Sequence, residues 1–229
     1  MPNPVTWVDP LGLSSKEPSS ICPTKTIPND YDVFEDMSVN GAVSKNNVPG
    51  FVQDSDNIFN STPSINQTVY QHEFLALRAY TGPNYTDMNG VLRGNKPGLE
   101  PEWKPVNDSA ARALTKLGRH PDYSYNGTVY RGTDMSEKDL HRIFPNVGDA
   151  YQDRAFTSTS TNRTTAFDGF FQGNVRITAK TKSGVKVDSF SATGGENEVL
   201  FKPDTKFEIT KKELMSDGET WDINLEEKD

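Results

Sequence analysis

Two glutamates separated by one residue, Glu196 and Glu198, stand between Gly194-Gly195 and the apolar run Val199-Leu200-Phe201. Carboxylates this close repel each other, which raises the pKa of one of them. In a strand, residues i and i+2 share a face, so the spacing predicts both acids on one surface. Such a pair can divide its work. One carboxylate stabilises a cation forming on a sugar, and the other handles a proton on the incoming nucleophile. A nucleophile that is protonated at neutral pH gives the second acid a purpose, because it attacks only once a nearby anion polarises it and takes a proton. Acidic i, i+2 pairs alone are common, and Glu100/Glu102, Asp30/Asp32 and Asp54/Asp56 have the same spacing. Context separates Glu196/Glu198 from these, with a glycine loop before the pair, a core-type strand after it, and two other polar strings upstream.

The first of those strings is Val129-Tyr130-Arg131-Gly132, and the second is Phe156-Thr157-Ser158-Thr159-Ser160. Arg131 closes a short β-type run, and a planar guanidinium binds phosphate oxygens as a fork. Gly132 beside it, lacking a Cβ, lets a ligand approach the backbone. An ordinary strand arginine with its head in solvent fits the same residues. The hydroxyls of Ser158, Thr159 and Ser160 donate and accept without charge, so they can orient a carboxylate and a ribose hydroxyl together; they also suit a polar strand edge. Phe167, Phe170 and Phe171 downstream could stack on a flat ring, although their spacing equally suits the core face of a helix.

Taken together and in this order, the three strings resemble the Arg, Ser-Thr-Ser, Glu-x-Glu signature of the mono-ADP-ribosyltransferase toxins. Leu77-Arg78-Ala79-Tyr80-Thr81, followed by Tyr85, Asn89 and Leu92, resembles that family's opening helix and its Tyr-Thr turn. Phe201, Pro203, Thr205, Phe207 and Ile209 resemble its closing strands, so the likeness covers roughly residues 66–222. The resemblance implies an α+β fold of two packed antiparallel β-sheets, an NAD cleft and flanking N-terminal helices. It implies NAD+ as co-substrate without a metal, and Glu198 as the catalytic residue with Glu196 engaging the target side chain. Arg131, Gly132, Ser158, Thr159, Ser160, Phe167 and Tyr80 are the implied NAD-binding residues. Cleavage of NAD+ builds positive charge on the ribose as neutral nicotinamide leaves, much as in glycoside hydrolysis, and this is what the carboxylate would answer. A protein arginine is the expected acceptor, a nucleic acid is the alternative, and bare NAD+ hydrolysis would leave the first glutamate without a task. From another class, a non-enzymatic interaction module is the competing reading.

A second resemblance lies at the start. Asn3-Pro4 followed by Val8-Asp9-Pro10-Leu11-Gly12-Leu13 resembles the junction of bacterial Rhs polymorphic toxins, where a delivery shell cuts itself free of its cargo. An ordinary Pro-Gly turn would use the same residue types. The resemblance implies release of the chain from Ser14 onward and delivery by a secretion apparatus into a rival cell's cytoplasm. Its implied partners are the Rhs shell, a target macromolecule and a cognate immunity protein.

Composition sets the remaining bounds. The net charge of −8 over 229 residues argues against a surface that tracks nucleic acid by charge. A local cluster such as Lys180, Lys182 and Lys186 could compensate. The single Cys22 excludes an internal disulfide and a cysteine-rich zinc site. No apolar stretch reaches the roughly 20 residues needed to span a bilayer, and Met1 to Leu13 lacks the pattern of a signal peptide. The chain is therefore expected to be soluble, without membrane insertion.

The elements that must position these residues divide the chain. Residues 1–13 read as the junction and residues 14–65 as an irregular lead-in. The first 65 residues are rich in Pro, Ser, Asn and Asp, with three lysines against eight acids. From residue 66 the pattern sharpens into the expected domain, 66–229. Apolar spacing predicts a helix through Val69 to Ala79, ending near Thr81-Gly82-Pro83, a second over Tyr85 to Leu92, and a third over Asn107 to Leu117 capped by Asp108 or Ser109. Ser136 to Phe144 reads as a capped helix. Short β-type runs follow at Thr128–Arg131, Ala155–Ser158, Asn174–Ala179, Gly184–Val187, Glu198–Phe201 and Lys206–Ile209, with a turn expected at Lys182-Ser183-Gly184. Helices followed by turn-linked strands make an α+β domain.

Overall fold

The computed structural model describes residues 48–169 and 173–228. The expected junction and most of the lead-in lie outside the described residues. Helix α1 (Val48–Ser61) and the short α2 (Pro63–Asn66) precede α3 (Gln71–Ala79). The stretch expected to be irregular is thus helical over its last part. Phe51, Val52, Ile58 and Phe59 recur at helical spacing and pack on the helical core, with Phe59 5.8 Å from the ring of Phe74. Polar residues between them hid the period.

Helix α3 starts where Glu73 reaches back to the amide of Tyr70 at 3.0 Å. Glu73 is buried, and its carboxylate also takes Lys116 at 2.6 Å and Arg112 at 3.4 Å, which ties α3 to α5 (Glu100–Leu117). A wide turn, Tyr80–Asn84, ends α3 where Gly82 leaves helical geometry and Pro83 follows. Helix α4 (Tyr85–Leu92) occupies the expected span, and Gly94 beyond it has φ +75°. Helix α5 begins seven residues before the expected start. Pro101 lies in its first turn, where no amide partner is missed. Asp108 and Ser109 are therefore interior positions rather than caps, and buried Ser109 accepts from Arg112 at 2.7 Å. Helix α6 (Glu137–Ile143) has the expected cap, with the Asp139 amide donating to Ser136 Oγ at 3.1 Å.

The strands are β1 (Ser124–Thr133), β2 (Ala150–Gln152), β3 (Thr157–Ser160), β4 (Val175–Lys186), β5 (Glu198–Phe201), β6 (Lys206–Leu214) and β7 (Trp221–Glu227), with helix α7 (Arg163–Asp168) after β3. They form a hydrogen-bonded order β1-β3-β5-β4-β7-β6-β2, with β1 also paired to β4. Strands β1, β3, β5 and β4 thereby close on one another. The layers expected as two sheets are joined through β1 and β4 into one ladder, and one pair, β4–β7, is parallel. No turn interrupts β4 at Lys182-Ser183-Gly184. Glu227 supplies acceptors there, taking the amides of Lys182 and Ser183 at 2.6 and 3.0 Å and Thr181 Oγ1 at 2.6 Å.

Strand β5 is buried along its whole length, and its alternation serves two cores. Val199 and Phe201 join Val129, Ile177, Ile209 and Ile223 between the strand layers. Leu200 faces the other way, into the core shared with the helices and with Phe156, Val187 and Phe190. Glu198 has the parity of Leu200, so it points to the helical side. Among the described residues, no helix is long and apolar enough to cross a membrane.

Candidate active site

Where the helical layer meets β3 and β5, a cleft of about 700 Å³ opens, lined by Tyr80, Arg131, Ser158, Glu196 and Glu198 among others. Its floor follows from register. Strand β3 runs antiparallel to β5, with Ser158 opposite Leu200 and Ser160 opposite Glu198. Opposed residues share a face, so Ser158, Ser160 and Glu198 lie on one side. Ser158 Oγ donates to Glu198 Oε1 at 2.6 Å, and Arg131 Nη1 donates to the Ser158 carbonyl at 2.5 Å. The three sequence strings thus meet as one chain of contacts, Arg131 to Ser158 to Glu198.

Glu198 is 4% exposed, and burial pushes its carboxyl up to about 7. The Ser158 hydroxyl and Arg131 pull it back, while Glu196 and Asp188 add to the rise. Near neutral pH this group stands between its two protonation states, as groups at reactive sites often do. Glu196 is half-buried, and its pKa is raised by burial and by Asp188. The pair shares the cleft, but not because both lie in a strand: β5 starts at Glu198, and Asn197 takes a left-handed φ of 51°. This turn, following Gly194 and Gly195 at φ 44° and 84°, brings Glu196 to the cleft from outside the sheet.

A model of the NAD:arginine ADP-ribosyltransferase family matches residues 56–229. The chain belongs to this family. It is 30% identical over 213 residues to the NAD(+)–protein-arginine ADP-ribosyltransferase Tre1 of Pseudomonas putida (strain GB-1), covering 92% of this chain and 40% of that protein. It is 35% identical over 132 residues to Tre1 of Serratia proteamaculans (strain 568), covering 58% of this chain and 27% of the relative. The chain spans less than half the length of these curated relatives. Among solved structures, the type III effector XopAI of Xanthomonas axonopodis pv. citri superposes with a TM-score of 0.69 at 20% identity, covering 88% of each chain. The ADP-ribosyltransferase HopU1 of Pseudomonas syringae pv. Tomato DC3000 does so at 0.66 and 20%, covering 87% and 97%. These neighbours bear out the α+β ADP-ribosyltransferase fold.

Other implied NAD-binding residues sit differently around the cleft. Tyr80 forms part of its wall. The Tyr80 hydroxyl meets the Phe156 carbonyl at 3.3 Å and accepts from Asn89 at 3.1 Å, and its ring lies 4.9 Å from that of Phe156. Burial raises its pKa, so it stays a neutral donor. Ser160 and Thr159 serve the frame. Ser160 Oγ donates to the Glu196 carbonyl at 2.6 Å and fixes the entry to β5, and Thr159 Oγ1 donates to the Val199 carbonyl at 2.7 Å. Gly132 is buried in β1 opposite Arg176. Phe167 is buried against Tyr130, ring centroids 5.7 Å apart, under the guanidinium groups of Arg163 and Arg176. Gly132, Thr159, Ser160 and Phe167 are not among the cleft-lining residues.

Three roles around the cleft are not visible in the sequence, although Asn89 itself belongs to the resemblance to the family's opening helix. Asn89 clamps Phe156 from both sides, accepting from its amide at 3.1 Å and donating to its carbonyl at 3.2 Å; this side-chain clip sets the start of β3. Arg93 and Lys96 line the cleft as cations already paired, Arg93 with Asp153 through two contacts of 2.6 and 3.1 Å and Lys96 with Asp87. Asp188, just after β4, has a buried oxygen, Oδ1, with no hydrogen-bond partner among the described residues. Its closeness to the glutamates is visible only through the β4–β5 pairing, where the Val187 amide donates to the Glu198 carbonyl at 3.1 Å.

Proposed function

We propose that this chain transfers ADP-ribose from NAD+ to an arginine side chain of a protein, releasing nicotinamide, and acts as a toxin in a rival bacterial cell. What carries this reading is the buried Glu198 carboxylate, positioned by Ser158 and sharing a cleft with a second carboxylate. In this reading Arg131 takes pyrophosphate oxygens through its fork. The bond between ribose C1 and nicotinamide breaks, and its electron pair leaves with the nicotinamide. Ionised Glu198 stabilises the resulting ribose cation at a site where little water competes. Glu196 polarises an arginine guanidinium, whose nitrogen attacks C1 and loses its proton to that carboxylate. Burial and Asp188 make Glu196 a stronger base than a solvated glutamate, which suits this step.

Delivery as the cargo of an Rhs shell, with a cognate immunity protein in the producing cell, belongs to the same proposal and rests on the Asp9-Pro10-Leu11-Gly12-Leu13 string. The test uses labelled NAD+ and a bacterial lysate, comparing the wild type with Glu198→Ala and digesting parallel samples with protease or nuclease. Label that requires Glu198 and is removed by protease supports the proposal. Label removed by nuclease instead names a nucleic-acid acceptor. No label, with folded protein and intact NAD+, refutes the enzyme.

A further inference from the structure

The segment between β4 and Glu196 is tied down for most of its length, and its ties lead away from the sheet. Phe190 is 2% exposed and packs edge-on to Phe74 at 5.3 Å and Tyr123 at 5.9 Å. Its carbonyl accepts from Arg78 Nε at 3.1 Å. Arg78, on α3, is itself buried, and its remaining nitrogens reach α1: Nη1 donates to Ser55 Oγ at 2.8 Å and Nη2 to Asp54 Oδ2 at 2.5 Å. The Phe51 ring lies 5.3 Å from the same guanidinium. Two residues on, the Ala192 amide donates to Thr81 Oγ1 at 2.9 Å, and Thr193 Oγ1 donates to the Thr81 carbonyl at 3.0 Å. Only then come Gly194 and Gly195, and after them Glu196.

The two glutamates therefore have different foundations. Glu198, Ser158 and Arg131 are placed by pairing among β1, β3 and β5, to which Arg78 contributes nothing. Glu196 is held at its carbonyl by Ser160 on β3, but the loop that leads into it has a stem that hangs on α3 and, through Arg78, on α1. A guanidinium spreads its donors over three nitrogens in a rigid fork and so spans acceptors on two elements, whereas the three donors of a lysine ammonium sit on one atom and cannot span them.

We propose that Arg78 is a positioning residue for the acceptor side of the site: by joining α1 to the loop of residues 188–195 it sets the position of Glu196, and so the share of cleaved NAD+ that ends on an acceptor rather than on water. This rests on the reading of Glu196 as the acceptor-side carboxylate.

The experiment uses the full chain and two readouts, NAD+ hydrolysis without acceptor and label transfer from NAD+ to the proteins of a bacterial lysate. The variants are Arg78→Lys and Asp54→Ala, the second at a side chain that is 60% exposed and so removable without threatening the fold. The expected result is hydrolysis and KM for NAD+ within about two-fold of wild type and a transfer-to-hydrolysis ratio lowered about ten-fold in Arg78→Lys and several-fold in Asp54→Ala. Asp54→Glu, which restores the carboxylate, restores the ratio. A ratio unchanged in both variants, whether both rates fall together or neither falls, overturns the coupling. If the wild type transfers no label, the transferase reading fails first and this inference falls with it; wild-type transfer with unchanged ratios sinks the coupling alone.

Discussion

Replacing Glu198 by Gln should remove the chemistry and make the protein more stable at high pH. The folded protein holds this carboxyl near 7 against an ordinary 4.5, burial being the main cause. Because the folded pKa is raised, the native state keeps the proton more tightly than the unfolded chain between those values. The associated stability is fully present below pH 4.5 and is lost as pH rises through 7. At ~1.4 kcal/mol per pH unit the gap is worth about 3 kcal/mol at pH 8 and about 1 kcal/mol at pH 5. Since Glu198 is only 4% exposed, solvent screening takes little from this figure. Gln keeps the size and an oxygen that can accept from Ser158, but carries no charge to desolvate.

Urea unfolding of wild type and Glu198→Gln at pH 5 and pH 8 isolates the titration. Any effect of the amide on packing is common to both pH values and cancels in the difference. The variant should gain about 2 to 3 kcal/mol on the wild type between pH 5 and pH 8, while NAD+ hydrolysis and transfer disappear. A stability difference that stays flat across this range would refute the argument, because Glu198 would then not be ionising at a cost in the folded protein.

Further predictions concern the groups around that carboxylate. Ser158→Ala removes the donor that favours the charged form, so the acid limb of the kcat/KM profile for NAD+ should move to higher pH. Asp188→Asn removes a repelling charge and should move the same limb to lower pH, a shift read in the same titration. Asn89→Ala leaves the buried amide of Phe156 without its side-chain partner and its carbonyl with Tyr80 alone. That should cost about 2 kcal/mol of stability, measurable by urea unfolding.

The site was legible in the sequence to the extent that its chemistry is local. Arg131, the Ser158 hydroxyl and Glu198 each stand in strands whose residue types announce them, and contact follows once those strands pair. The reason Glu196 shares the cleft was not legible as it stands: alternation predicts the right face, but the turn at Asn197 achieves it. Among the elements, α4 was marked by a turn before it and a glycine after. Helix α5 was read short because Pro101 and Pro105 look like breakers when the first turn is not yet located. Strand β4 was read as two strands because Lys182-Ser183-Gly184 has turn composition, and Glu227, 44 residues from Ser183 in the chain, is what makes a continuous strand affordable there. Helix α1 escaped because the four apolar residues that pack on the core, Phe51, Val52, Ile58 and Phe59, are diluted by polar ones, so only the surface it packs on reveals its face. The misses at β4 and α1 share a cause: each depends on a partner distant in sequence.

The different foundations of the two glutamates also bear on how acceptor choice can be set. Glu198 is the first residue of a strand whose next three side chains are shared between two cores, so moving it would disturb both. Residues 191–195 carry no such load. Ala192, Thr193, Gly194 and Gly195 are exposed, and their ties to Thr81 are hydrogen bonds rather than buried apolar contacts. Substitutions at Gly194 and Gly195 would meet no neighbouring atom but would strain a left-handed backbone, so they would redirect Glu196 without reaching Ser158 or Arg131. The surroundings of Glu198 and those of Glu196 are thus built so that one can change shape while the other keeps its geometry. In the proposed transfer, this separation lets the chain be fitted to a particular target arginine while it cleaves the same NAD+.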